Sequence, residues 1–70
     1  MKRYSVYVLL NNGKDVQFET IDNPLEIEPV HINGAEMVMT KEQYGINLLQ
    51  VKKMEVVEFG KGKIGELITQ

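Results

Sequence analysis

The chain of 70 residues has no cysteine, no tryptophan and a single histidine. Without cysteine it can form neither a disulfide nor a thiolate zinc site, and His31 alone cannot build a structural metal centre. A domain of this length has a core worth only about 3–5 kcal/mol, so it usually needs such a staple. The remaining source of extra stability is contact with another protein chain, which favours a homo-oligomer.

The chain also lacks any long apolar segment. No run approaches the roughly 20 residues that a membrane-spanning helix needs. Met1-Lys2-Arg3 is followed by a polar-spaced, strand-like pattern and not by the apolar core of a signal peptide. Because cysteine-free chains suit a reducing compartment, we expect a cytoplasmic protein that does not contact a membrane.

The net charge is −2, and the acidic residues are concentrated in one part of the sequence. Residues 1–14 carry three basic side chains and no acidic one, whereas residues 15–40 carry six acidic side chains and no lysine or arginine. An acidic middle segment repels a phosphate backbone, which makes nucleic acid an unfavourable partner.

Short segments typical of β-strands follow one another along the chain. Residues 4–10 are β-branched and aromatic, and residues 15–20 alternate between apolar and polar side chains. Asn12-Gly13 between them tolerates positive φ, as a tight hairpin requires. Asn33-Gly34 predicts a second hairpin, which leads into a strand at residues 35–40. Leu25 and Ile27 share one strand phase, whereas Val30 and Ile32 occupy the opposite one. Pro29 lies at this change of phase, which indicates an edge strand with a bulge or bend.

The segment 41–59 is ambiguous between helix and strand. Thr40-Lys-Glu-Gln43 matches a helix capping box, whereas Gly45 and Asn47 disfavour a helix. We expect a short turn or helical piece at 41–50 and a strand at 51–59. The predicted fold class is mainly β, a small five-stranded antiparallel barrel or curled meander with at most one short helix. It forms a single domain over 1–59, followed by a glycine-rich hinge and an apolar C-terminal tail over 60–70.

The tail contains a glycine motif, Gly60-x-Gly62-x-x-Gly65, after a predicted strand. It resembles the glycine-rich loop of protein kinases, in which backbone N–H groups approach phosphates. Only five residues follow Gly65, so we do not expect the catalytic parts of a kinase downstream. The alternative is a flexible hinge. The candidate ligand or partner contacts in this motif are Gly60, Lys61, Gly62, Lys63 and Gly65.

Other polar residues do not form a catalytic set. His31 lies between two apolar residues, but the only serine is Ser5 and no cysteine can act as nucleophile. Glu26 and Glu28 share a predicted strand face, as carboxylates on a solvated face also do. We therefore predict no catalytic, cofactor-binding or metal-binding residue, no cofactor and no enzymatic activity.

Part of the sequence resembles the Sm-like small barrels. Val6–Gly13 looks like the first strands of that family, where an apolar strand meets an Asn-Gly turn. Asp22-Asn23 and Val56–Gly62 are similar to its two motif regions. The resemblance implies a small barrel, and barrels of the SH3 type fit equally. No RNA-binding residue is transferred, because the second strand has no central glycine and no Arg-Gly closes the last one.

In length, acidity and lack of cysteine the chain is also similar to accessory proteins of bacteriophages and mobile elements, which implies stoichiometric binding of a target. Our leading hypothesis is a non-enzymatic protein-interaction module that self-associates through strand edges or the apolar tail, with its protein partner unknown. In the tail, Ile64, Leu67 and Ile68 either cover an edge or groove of a second copy or fold back on their own domain. The alternative is a small barrel that binds a nucleotide or nucleic acid through Lys61, Lys63 and the tail glycines.

Overall fold

The computed structural model describes residues 2–69, which form seven β-strands in two antiparallel sheets. The strands are β1 (Tyr4–Leu10), β2 (Asp15–Thr20), β3 (Val30–Ile32), β4 (Ala35–Met39), β5 (Gly45–Asn47), β6 (Val51–Glu58) and β7 (Gly62–Ile68). Two 3-10 turns, at Pro24–Glu26 and Leu48–Gln50, connect them. Within this described part no helix is long and apolar enough to cross a membrane.

The first sheet has the strand order β2-β1-β6-β7, and the second has the order β3-β4-β5. The chain forms the hairpin β1–β2, leaves to build the second sheet, and returns as β6 beside β1. The predicted Asn-Gly turns are present. Gly13 (φ 88°) lies in the first turn, while Asn33 (φ 49°) and Gly34 (φ 81°) turn the chain between β3 and β4, as paired positive φ angles do in a tight hairpin.

One apolar core lies between the two sheets. Val6 and Val56, on the two central strands of the first sheet, are completely buried. Val38 and Ile46 reach the same cluster from the second sheet. The face of the first sheet that meets this core is called its inner face. Burying side chains of this size contributes about 1.5–3 kcal/mol each, so the core holds the two sheets together. Its buried members are Tyr4, Val6, Val8, Val38, Ile46, Val51, Met54 and Val56.

The mainly β, curled-meander architecture is confirmed, but the closed five-stranded barrel is wrong. Over residues 2–69 no strand of the first sheet pairs with a strand of the second, so β2 and β7 remain at edges. The expected strand phase at Leu25 and Ile27 is also absent. Instead, the side chain of Asn23 accepts a hydrogen bond from the Leu25 N–H and starts a 3-10 turn at Pro24, where the fixed φ of proline favours a helical start.

The capping-box residues at 40–43 close a loop and do not begin a helix. The backbone oxygen of Thr40 accepts from the Gln43 N–H (2.8 Å), and its hydroxyl accepts from the Tyr44 N–H (3.1 Å). Gln43 has a φ of 70°, which ends helical geometry at once. The remainder of the ambiguous segment forms β5 and a 3-10 turn, and the strand expected at 51–59 is present as β6.

The segment expected as a hinge and tail forms a turn and a strand over its described residues, 60–69, and residue 70 lies outside the described part. Gly60 (φ 88°) and Gly62 (φ 90°) belong to a tight turn, which the Lys61 N–H closes by donating to the Glu58 carbonyl (3.0 Å). The chain then pairs with β6 as the fourth strand of the first sheet. Glycine at positive φ serves a hairpin as readily as a hinge, so residues 62–68 belong to the same folded unit as residues 4–58.

Candidate functional site: the outer edge of strand β7

Strand β7 is an edge strand, and no other strand of residues 2–69 pairs with the backbone groups on the side of β7 that points away from β6. The Thr69 N–H donates to the Lys52 carbonyl (3.0 Å), so Thr69 faces β6. Because backbone groups alternate in direction along an antiparallel strand, those of Leu67 also face β6 and those of Glu66 and Ile68 point away. We call the outward-pointing backbone of β7, together with its exposed side chains, the β7 edge.

A β-bulge shifts the phase of β7 in its middle. Val56 pairs with Gly65 and Val57 pairs with Lys63, which leaves Ile64 as an extra residue. The backbone of Lys63 therefore points away from β6, like that of Glu66. Both side chains also lie on the outer face of the sheet although they are three residues apart, and the Lys63 Nζ lies 2.9 Å from the Glu66 Oε1.

Apolar side chains accompany these backbone groups. Ile64 is 38% exposed and Ile68 is 59% exposed, whereas Leu67 packs against the core. Two depressions of about 350 and about 320 Å³ flank the end of the strand, with Ile68 lining one and Leu67 the other. The three residues predicted as oligomer contacts are thus on one strand, but only two of them are exposed.

The candidate phosphate-binding residues lie in or next to the β6–β7 turn, and each has a role in the hairpin. The Lys61 Nζ is 3.8 Å from a carboxylate oxygen of Glu58, and the Lys63 Nζ contacts Glu66. A Cβ at Gly65 would lie 2.6 Å from the Leu25 Cδ1, so this glycine lets the first 3-10 turn rest on β7. The motif thus makes a turn and a close contact, and both of its cations already face carboxylates.

The opposite edge of the first sheet, strand β2, is covered near its end. The Phe18 and Tyr44 rings stack with centroids 4.5 Å apart. The Glu42 carboxylate accepts hydrogen bonds from the Thr20 hydroxyl and from the Ile21 N–H (3.0 Å). These bonds favour the ionised carboxylate and lower the pKa of Glu42, the Thr20 bond most strongly. The loop after β4 therefore occupies part of the β2 edge.

The other titratable residues from the sequence analysis are dispersed. His31 is exposed on β3 opposite Glu36, and Glu26 and Glu28 are exposed in or after the first 3-10 turn. Within residues 2–69 no three or more His, Asp or Glu residues are grouped so that they could hold a metal ion. The structure therefore does not bring these side chains together.

On the outer face of the first sheet, polar and charged side chains pair with one another. The Lys53 Nζ lies 2.7 Å from a Glu55 carboxylate oxygen, which lowers the pKa of Glu55 and raises the pKa of Lys53. The Tyr7 hydroxyl donates to Asp15, and this bond raises the pKa of Tyr7.

Glu66 is the residue of the candidate site that sequence reasoning missed, because its contact with Lys63 depends on the bulge.

Comparison of the chain with protein-family models, with curated proteins and with solved structures finds no match. The role of the β7 edge has to be inferred from its own chemistry. Its components are unpaired backbone donors and acceptors, two exposed isoleucines, and a lysine and a glutamate on one face.

Proposed function

We propose that this protein is a non-enzymatic interaction module that binds another protein stoichiometrically through the β7 edge. The observation that carries the proposal is the row of outward backbone groups beside the exposed side chains of Ile64 and Ile68. An extended segment can add to such an edge as a further strand, with main-chain hydrogen bonds giving affinity and pockets for alternate side chains giving specificity.

The surroundings of the edge support this binding mode. Ile68 faces outward beside Leu9 and Lys53, and Leu67 faces inward beside Leu48 and Leu49. An added strand points successive side chains to opposite faces of the sheet. Its residues would therefore lie alternately beside Ile68 on the outer face and beside Leu67 on the inner face.

The compartment and the nucleotide alternative are addressed by other observations. We further propose a cytoplasmic location, with which the lack of cysteine agrees, and a role like that of phage accessory proteins, which act by stoichiometric binding. The nucleotide alternative requires Lys61 and Lys63 to leave Glu58 and Glu66 for a phosphate. Common nucleotides should thus leave the melting temperature unchanged. A rise that the double variant Lys61→Ala/Lys63→Ala abolishes would establish the alternative.

The direct test compares the two edges of the first sheet with matched variants. Ile68→Lys places a charge at the β7 edge and Val16→Lys places one on β2, at positions 59% and 50% exposed. Tagged wild-type and variant chains are used to recover bound proteins, and each protein recovered is then titrated in purified form. We expect Ile68→Lys to lose a partner that Val16→Lys retains, with both variants folded by circular dichroism. Equal retention by both variants would overturn the proposal.

A further inference from the structure

Of the four edge strands, β7 is the one with the length and the charges to pair with itself. Strands β3 and β5 have three residues each. Strand β2 carries Asp15 and Glu19, and an antiparallel pair of β2 strands centred on Gln17 would set these acids against each other. Strand β7 has seven residues and carries one lysine and one glutamate on its outer face.

The direction of the backbone groups selects a register for such a pair. Lys63 and Glu66 both point their N–H and C=O groups away from β6. In an antiparallel pair with a two-fold axis between Ile64 and Gly65, Lys63 of one chain lies opposite the partner's Glu66, and the reverse holds by symmetry. Each of these two pairs can exchange both N–H···O bonds.

The side-chain faces agree with the same register. Lys63 and Glu66 are both on the outer face, and Gly62 and Leu67, which would also lie opposite each other, are both on the inner face. Moving the axis onto Gly65 sets Lys63 against the partner's Leu67 and mixes the two faces. Moving it onto Glu66 sets two carboxylates directly opposite each other, which is unfavourable.

We propose that the β7 edge binds the β7 edge of a second copy of this chain in antiparallel orientation, with Lys63 opposite the partner's Glu66. This inference rests on the proposed function of the edge and adds a second copy of the chain to the partners that the edge binds. The two lysines and two glutamates then form a cluster of alternating charge on the outer face. Charges of this kind fix register and orientation more than affinity, and the area of one strand edge is small, so the dimer is weak and reversible.

Two single charge reversals test this register. Lys63→Glu sets like charges across both pairs of its own dimer, and Glu66→Lys does the same. An equimolar mixture of the two variants restores opposite charges at both pairs. Glu19→Lys is the matched control, because Glu19 is also an exposed edge-strand residue with a 2.9 Å ion pair, to Arg3. Masses are measured by sedimentation equilibrium from about 20 to about 500 µM, the range suited to a weak dimer.

We expect the wild type and Glu19→Lys to approach a dimer mass. Each reversal alone should raise the dissociation constant of the dimer at least about tenfold. The mixture should recover wild-type association. A monomeric wild type, a mixture no tighter than its components, or a mass rising beyond a dimer would overturn the inference. If the wild type is monomeric but Ile68→Lys still loses a captured protein, only self-pairing is wrong. If the dimer forms and no other protein depends on the edge, the wider binding function is wrong.

Discussion

The two edge strands of the first sheet, β2 and β7, are similar in length and differ in what lies on them. Strand β2 has six residues, and its end is covered by Glu42 and Tyr44 from the loop after β4. Strand β7 has seven residues and contacts Leu25 only on its inner side, at Gly65. An exposed strand edge is a template for pairing with another chain, so the covering loop determines which edge is available.

The cover on β2 depends on the tight loop at residues 40–44. The bonds that Thr40 accepts and the positive φ of Gln43 bring Glu42 to the Ile21 N–H and Tyr44 to Phe18. The Ile21 amide continues the row of backbone groups on the outer side of β2. The Glu42 carboxylate therefore accepts the hydrogen bond that a backbone carbonyl of a further strand would accept. No side chain among the described residues does this for β7.

The largest effect on stability is expected from Phe18→Ala, which removes the ring on which Tyr44 stacks at the β2 edge. This substitution removes the stacked ring and leaves a gap at the rim of the core, which should lower the free energy of unfolding by about 2–3 kcal/mol. Phe59→Ala is the control. Phe59 is 48% exposed and its ring lies 6.0 Å from the Arg3 guanidinium carbon, so its loss should cost about 1 kcal/mol or less. Urea denaturation measures both, and equal losses would contradict the stabilising role of the cover.

A smaller loss of stability is expected when the pH is lowered, because Glu42 becomes protonated. Its pKa is lowered in the folded state by the bonds from Thr20 and Ile21. The stabilisation is therefore fully present above the unfolded pKa, which is about 4.3, and is lost as the pH falls through the lower folded pKa. Glu42→Gln should flatten the decline in melting temperature at acid pH. Part of the decline should remain in the variant, because Glu55, whose pKa is lowered by Lys53, also becomes protonated. An unchanged pH profile would mean that the carboxylate does not hold the β2 edge.

The hairpins of this fold were predictable because local residues determine them. Asn12-Gly13 and Asn33-Gly34 mark two turns, and the period of two over residues 15–20 marks a strand whose inner face contacts the core at Phe18. The loop at 40–44 was not predictable in the same way. Thr40 and Gln43 fit a helix start in sequence, whereas in the structure Gln43 takes a left-handed φ and its neighbours Glu42 and Tyr44 contact β2. No local sequence pattern indicates these long-range contacts.

The candidate site was predicted in part. The sequence singles out Ile64, Leu67 and Ile68 as oligomer contacts on a tail, whereas the structure places them on strand β7. Their role as oligomer contacts stays a prediction. The extra residue at Ile64 breaks the period of two, so β7 does not show the alternation of a strand. For the same reason Glu66 was overlooked, since it shares a face with Lys63 only when Ile64 bulges.

The most direct test of the central claim, that the β7 edge is the open pairing surface of this sheet, is amide hydrogen exchange at two protein concentrations. The Leu10 N–H donates to the Lys14 carbonyl, so by alternation the Gln17 amide points outward from β2 as the Glu66 amide does from β7. We expect the exchange of the Lys63 and Glu66 amides to slow as the concentration rises, while that of Gln17 stays constant. Slowing at Gln17 with no change at Glu66 would contradict the account.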